Sequence, residues 1–286
     1  MPDLTIIQTG DALRQTVRRW KREGLTVGLV PTMGALHAGH LSLIELARAH
    51  CDRVVATIFV NPRQFSPGED LDAYPRTMER DTALLREAGC HALFAPAVSE
   101  IYPDGFATSI TVAGISEGLC GATRPNFFGG IATVVAKLLI LAEPDKAFFG
   151  EKDYQQLLVI RRLVTDLALP VEIIGGALVR EADGLAMSSR NAYLSGNERQ
   201  MALTLYHTLK EVTAGLEAGA EPGRLIAMGL ERLVSAGFRM DYLELRDAET
   251  LEPIERLERP ARLLAGGYLG KTRLIDNMPV TPRSHG

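Results

Sequence analysis

Cysteine is scarce in this chain. Cys51, Cys90 and Cys120 are the only three in 286 residues, they are widely spaced, and no C-x-x-C pair occurs. An odd, scattered set of thiols argues against a disulfide framework and fits a reducing cytoplasm, where cysteine serves as a small apolar residue. Long apolar runs are missing too. Nothing approaches the ~20 uninterrupted apolar residues of a membrane span, and Met1-Pro2-Asp3-Leu4 does not open a secretory signal. Positive charge is not in excess: 31 Lys and Arg stand against 35 Asp and Glu, a net charge of −4. That balance argues against a dedicated nucleic-acid surface and favours a small-molecule partner. There is no internal repeat and no low-complexity segment. What remains, 46% hydrophobic and 23% charged, is an ordinary globular composition with room for one large domain or two unequal ones.

The first part of the chain alternates strand-like and helix-like patterns. Ile6-Ile7 precedes a helix over residues 11–22. Residues 25–30 read as a strand, followed by a helix from near His37 to about His50. Residues 53–60 (RVVATIFV) are nearly continuous β-branched sequence, as a central strand covered on both faces requires. A helix over 77–88 leads into a strand at 91–94. Another helix is expected over about 131–141, then strands at 146–149 and 171–174 with a helix over 153–168 between them. Such alternation implies right-handed crossovers and an α/β fold with a doubly wound, Rossmann-like parallel sheet. From Gly175-Gly176 the texture changes. Helices over 197–218 and 222–236 precede short strands at 242–245 and 263–269, which reads as a smaller α+β domain. The expected division is therefore 1–176 and 177–286, with a loose tail at 281–286.

The most informative stretch is Val30-Pro31-Thr32-Met33-Gly34-Ala35-Leu36-His37-Ala38-Gly39-His40. An apolar strand ends in a Pro/Gly-broken loop, and a helix begins with two histidines three apart near its N-terminus. Unpaired N–H groups and the helix dipole favour an anion there. Gly34 and Gly39 remove side chains that would hold a phosphate chain away from the backbone. The pattern suits a nucleoside triphosphate. A zinc reading needs a third ligand, and His50, His91, His207 and His285 are scattered.

Four further clusters follow strand-like or turn-like segments, where a doubly wound sheet assembles its site. Asn61 and Gln64, after the central strand, are amides suited to orienting a carboxylate or hydroxyl; a plain polar loop reads equally well. In Phe149-Gly150-Glu151-Lys152-Asp153-Tyr154-Gln155-Gln156, Lys152 supplies a mobile charge for phosphate oxygens. Asp153 is placed to cap the helix or reach a ribose hydroxyl, although a Glu-Lys-Asp run is also an ordinary solvated helix start. Met187-Ser188-Ser189-Arg190 sets small hydroxyls beside a guanidinium, a flexible phosphate clamp at the expected domain junction. The stretch 121–130 (GATRPNFFGG) reads either as a glycine-rich site loop or as a simple connection.

Taken together, PTMGALHAGH, FVNPRQF, LDAYPRT (71–77), FFGEKDYQQL, READGLAMSSRNAYL and LIDN (274–277) closely resemble the pantothenate synthetase (pantoate–β-alanine ligase) family. The His-x-Gly-His signature also links the chain to nucleotidylyltransferases and class I aminoacyl-tRNA synthetases. The resemblance implies ATP-dependent adenylation of (R)-pantoate, then displacement of AMP by the amine of β-alanine. It implies that His37 and His40 contact the triphosphate, with Lys152, Ser188, Ser189 and Arg190 drawing charge from the departing pyrophosphate. The ATP site it implies comprises Met33, Gly34, Ala35, Leu36, His37, Ala38, Gly39, His40, Gly150, Glu151, Lys152, Asp153, Val179, Met187, Ser188, Ser189 and Arg190. Asp153 and Gly150 would face the ribose, and the backbone at Val179 the adenine. Gln64 and Gln156 would bind pantoate, with Asn61 nearby. Mg2+ is implied as the counter-ion of the phosphates without a protein ligand set, and a cytoplasmic homodimer is the expected assembly.

Two departures from the family pattern stand out. Phe127 replaces a histidine and Gly129 a less regular arginine, so an imidazole near the acyl-adenylate and β-alanine region is missing. Asn126 or a backbone group is expected to supply the hydrogen bond in its place. Arg63 stands where methionine is common, a charge expected to decorate the rim. The nearest rival, a nucleotidylyltransferase, shares His37 and His40 but gives no reason for Asn61, Gln64 and Gln156. A non-catalytic ATP sensor would bind without turnover. A tRNA synthetase would need a basic appendage that this short, acidic chain lacks.

Overall fold

The computed structural model describes residues 4–65 and 69–282. The expected tail lies, from residue 283 on, outside the described residues. In chain order the strands are β1 (Thr5–Ile7), β2 (Val27–Thr32), β3 (Arg53–Ile58), β4 (Ala92–Phe94), β5 (Lys146–Gly150), β6 (Glu172–Gly176), β7 (Phe238–Asp247), β8 (Ala261–Leu269) and β9 (Thr272–Val280). The helices are α1 (Gly10–Arg22), α2 (Ala38–His50), α3 (Met78–Glu87), α4 (Val98–Ile101), α5 (Cys120–Thr123), α6 (Phe127–Ala142), α7 (Tyr154–Asp166), α8 (Gly196–Glu217) and α9 (Pro222–Ser235).

The chain divides into two compact units. The first comprises residues 1–113, 124–151 and 159–177; the second comprises 114–123, 152–158 and 178–286. Two short segments that the sequence reading placed in an N-terminal domain thus group with the C-terminal unit. Polar side chains explain part of this grouping. The buried Gln155 accepts a hydrogen bond from the Cys120 amide (3.1 Å) and donates to the carbonyls of Ile115 (3.0 Å) and Gly118 (2.8 Å).

In the first unit six parallel strands lie in the order β1-β4-β3-β2-β5-β6. The inner strands are almost wholly buried, which accounts for their unbroken apolar composition. Leu43, Ile44 and Ala47 of α2 and Leu85 of α3 pack in one cluster with Val30, Val54, Ala56, Leu93 and Phe148. Helix α6, buried along most of its length, packs against α1 and β2. It starts at Phe127, four residues before the expected position. The Gly129-Gly130 pair, poor in helix propensity, hides its first turn from a pattern reading.

β2 and β5 are neighbours, yet the chain leaves β2 towards β3 on one side and β5 towards β6 on the other. The carboxyl ends of these two strands therefore form a topological switch point, where ligands of doubly wound sheets bind.

The second unit is a three-stranded antiparallel sheet, β7-β8-β9, with α8 and α9 packed on it. β7 begins earlier than expected, and β9 answers to no expected element. Its polar centre, Asp276-Asn277, is buried because both residues are paired: Arg180 donates to both Asp276 oxygens (2.7 and 2.9 Å), and Arg262 donates to Asn277 Oδ1 (2.6 Å).

Candidate active site

The loop from β2 to α2 is held from beneath by one carboxylate. Asp81, 1% exposed on α3, accepts from the amides of Ala35 (2.8 Å) and Leu36 (2.9 Å) and from the Thr77 hydroxyl (3.1 Å). Gly34 and Ala35 both take left-handed backbone conformations, φ +83° and +51°. A Cβ at Gly34 would sit 3.1 Å from both Asp81 Oδ2 and Ile58 Cγ2. This glycine therefore answers to the turn and to the packing beneath it, where the sequence reading had it clearing room for phosphate. Asp81 itself escaped that reading, since nothing in Glu79-Arg80-Asp81 marks which charge is buried.

His37 caps α2 and His40 occupies the third helical position, forming a capping box from two imidazoles. His37 Nδ1 accepts from the Gly39 amide (3.2 Å), His40 Nδ1 accepts from the His37 amide (3.4 Å), and the ring centroids lie 4.1 Å apart. Each ring thus has one nitrogen, Nδ1, turned to a backbone amide, and Nε2 lies on its other edge. The helix start thus sets two imidazoles side by side, and the His37 and Gly39 amides, two of the N–H groups at that start, are engaged by the rings.

Across the switch point, β5 ends at Gly150, followed by a 3-10 turn over Glu151–Asp153. Among the described residues, a Cβ on Gly150 would meet only Leu43 Cδ1, at 4.0 Å, which leaves space at this end of the strand.

The loop after β3 is more tightly built than expected. Asn61 is fully buried, and every hydrogen-bonding position of its side chain is taken. Oδ1 accepts from the Tyr102 hydroxyl (2.8 Å) and the Arg63 amide (3.3 Å); Nδ2 donates to Gln64 Oε1 (2.9 Å) and to the Gly130 carbonyl (3.1 Å). Burial pushes the Tyr102 phenol up to about 12, which keeps it a donor at neutral pH. Gly130 is obligatory here, because a Cβ would lie 2.1 Å from the Arg63 carbonyl oxygen. Arg63 stacks over Tyr102 (4.8 Å) and Phe106 (4.9 Å) and donates to the Thr108 carbonyl (3.2 Å). It therefore fastens residues 102–108 to the Asn61 loop and does more than decorate a rim.

At the family-histidine position, the guanidinium of the buried Arg124 lies 3.5 Å above the centroid of the Phe127 ring. The same guanidinium donates to both Glu69 oxygens (2.8 and 2.7 Å) and to the Gln64 carbonyl (3.0 Å). Asn126 caps α6 in a left-handed conformation (φ +66°) without a side-chain cap bond.

In the second unit, residues 179–187 form a short hairpin: the Met187 amide donates to the Val179 carbonyl (3.0 Å), and Arg180 and Ala186 pair as an antiparallel bridge. Ser188 then caps a 3-10 turn over Ser189–Tyr193, accepting from the Arg190 amide (3.2 Å). Lys152, Ser188, Asn191 and Asp276 line one cleft of this unit. Lys152 Nζ is 3.8 Å from Asp153 Oδ2, and its carbonyl accepts from Asn277 Nδ2 (2.9 Å), so LIDN supports the residue expected to meet phosphate. Gln156, half-buried, follows the structural Gln155.

No cluster of three or more His, Cys, Asp or Glu among the described residues is arranged to hold a metal, and no helix among them is long and apolar enough to cross a membrane.

Comparison with known proteins agrees with this picture. Residues 5–279 match the profile of the family described as pantoate-β-alanine ligase. The chain is 56% identical over 278 residues to the pantothenate synthetase of Paramagnetospirillum magneticum, covering 97% of this chain and 98% of that one. It is 57% identical over 282 residues to that of Rhodospirillum rubrum, covering 98% and 100%. Among solved structures, pantothenate synthetase from Thermus thermophilus superimposes with a TM-score of 0.93 at 48% identity, over 97% of this chain and 100% of that one. Pantoate-β-alanine ligase from Francisella tularensis, complexed with β-γ ATP and β-alanine, gives 0.81 at 33% identity, over 96% and 97%. A match of this extent and identity decides the matter: the chain belongs to the pantoate–β-alanine ligase family.

Proposed function

We propose that the protein condenses (R)-pantoate with β-alanine at the expense of ATP, releasing AMP and pyrophosphate. In a chain of this family, the observation that carries the reading is the pair of imidazoles which His37 and His40 set at the start of α2, each held through Nδ1 on a backbone amide, beside the β2/β5 switch point. In the first half-reaction a pantoate carboxylate oxygen attacks the α-phosphorus, and the bond to the β-phosphate oxygen breaks. Pyrophosphate leaves with that electron pair. Negative charge grows on the phosphate oxygens, and donors already oriented for it lower the barrier without reorganising. We assign His37 and His40 this role, together with Lys152, Ser188, Ser189 and Arg190. We assign Gly150 and Asp153 to the ribose and the Val179 backbone to adenine. Met33 to Ala38, Gly39, Glu151 and Met187 complete the nucleotide contacts. Magnesium would enter bound to ATP, neutralising phosphate charge as part of the substrate. In the second half-reaction the amine of β-alanine attacks the acyl carbon, loses a proton, and AMP departs. We also assign the enzyme to the cytoplasm, consistent with three buried free thiols, and to a homodimer that sedimentation tests.

Pyrophosphate exchange into ATP with a panel of small acids tests the assignment. Exchange should require pantoate. Dependence on a phosphate-ester acceptor would instead indicate nucleotidyl transfer, and ATP binding without any exchange a sensor.

Gln64→Ala and Gln156→Ala should each weaken pantoate by the ~1–3 kcal/mol that an unpartnered polar group costs, with ATP affinity unchanged. Calorimetry against each substrate separates the two; an equal loss for both would move the pantoate pocket elsewhere.

Phe127→Ala should uncouple the half-reactions. The ring covers the face of Arg124, whose other edge holds the Gln64 carbonyl. Removing it admits water that hydrolyses the adenylate. AMP release should then exceed pantothenate formation at saturating β-alanine, and unchanged stoichiometry would refute this role. Asn126→Ala should slow amide formation while sparing exchange.

A further inference from the structure

The pantoate assignment of Gln64 leaves open which edge of its amide meets the substrate, and what Asn61 does. We infer that Asn61 is a positioning residue which turns the N–H edge of Gln64 outward, so that this subsite accepts only a hydrogen-bond acceptor. The inference deepens the proposed pantoate role of Gln64 and rests on it.

The polarity originates in two backbone groups that cannot change theirs. The Arg63 N–H points at one end of the Asn61 amide and the Gly130 carbonyl at the other. Rotating that amide by 180° would set a donor against the Arg63 N–H, 3.3 Å away, and an acceptor against the Gly130 oxygen, 3.1 Å away. Burial leaves no water to compensate either mismatch. Asn61 is thereby locked with Oδ1 towards Tyr102 and Nδ2 towards Gln64. Nδ2 has two protons; one goes to Gly130 and the other demands an acceptor on Gln64, which presents Oε1 at 2.9 Å. The remaining edge of Gln64 is therefore its NH2 group, two donors that bond to none of the described residues.

Such an edge takes a carboxylate or a hydroxyl oxygen and rejects a group that only donates. An ammonium, as on the second substrate β-alanine, would meet two N–H dipoles pointing at it. The lock thus discriminates between the two substrates of a condensation as well as binding one of them. Asn61 makes no contact with substrate in this scheme, since its four positions are filled from within the protein. Tyr102 supplies the second donor to Oδ1 and stiffens the lock, itself held by Arg63 stacked on its ring.

A double-mutant cycle tests this. Asn61→Asp presents a carboxylate oxygen to Gln64, which then turns its NH2 inward and its oxygen towards substrate. Alone, it should raise the KM for pantoate at least tenfold, leaving the KM for ATP within twofold. In a Gln64→Ala background the same substitution should add less than twofold, because there is no amide left to turn. An equal factor in both backgrounds would overturn the inference and make Asn61 a direct ligand or a purely structural residue. Tyr102→Phe, a gentler change, provides a second cycle if the aspartate variant does not fold. It should raise the pantoate KM two- to fivefold alone and have no effect beside Gln64→Ala; equal factors would again overturn the lock. If Gln64→Ala alone leaves pantoate binding unchanged, the assignment of Gln64 to pantoate is what has failed.

Discussion

His40→Ala is expected to lower kcat for pantoate-dependent pyrophosphate exchange by on the order of 10²–10³, the cost of removing one preorganised donor from a developing oxyanion. Two features of the structure set this expectation. The imidazole is held by its own Nδ1 on the His37 amide, so the orientation of the ring is set before substrate arrives. Its ring also lies against that of His37, so losing one donor leaves the other less well held. Ground-state affinity for ATP should change less than kcat, because the charge answered by this proton grows as the bond to pyrophosphate breaks. His40→Gln, which keeps an N–H at similar reach, should recover part of the loss. Wild-type exchange in a folded alanine variant would remove His40 from the mechanism.

Asp81→Asn should damage nucleotide binding from a position that never touches the nucleotide. Its carboxylate receives two backbone N–H groups and a hydroxyl. An asparagine retains one acceptor and turns an NH2 towards a donor it must now oppose. A buried donor without a partner costs ~1–3 kcal/mol. Part of that cost should appear as a lower melting temperature, and part as loosening of the left-handed Gly34-Ala35 turn that carries the chain to His37. The expected result is a KM for ATP raised by about tenfold, with the pantoate constant little changed. Unaltered ATP binding in the folded variant would show that the loop keeps its shape without the carboxylate.

The parts of this molecule that were legible in the sequence share a physical cause. β2, β3 and β5 stand out because strands buried on both faces need near-continuous apolar residues. The β2–α2 loop stands out because its turn needs glycine and its helix start bears two histidines in one turn. What escaped was polar and buried. β9 reads poorly as a strand because Asp276 and Asn277 interrupt it, and both are tolerated through partners outside the strand, Arg180 96 residues away and Arg262 on β8. Asp81, Arg124 and Glu69 look like surface charges until the fold pairs them. Asn61 was legible as a site amide, but its saturation was not, since one of its partners is a carbonyl on α6 and another a phenol after α4. The start of α6 was misjudged for a related reason: Gly130 serves a close approach to the Arg63 backbone that local propensity does not register.

The pairing of Arg180 with Asp276 spans 96 residues. On a ribosome, the segment that follows Arg180, with Ser188 and Ser189, emerges well before the strand bearing its carboxylate partner. Contacts so distant along the chain form late, because a long loop must close before they repay its entropy. A nascent chain with a finished six-stranded sheet would therefore still carry an unanchored 179–187 hairpin. Anchoring of this hairpin becomes a late event in biogenesis, completed only when β9 joins its sheet and Asp276 meets the waiting guanidinium.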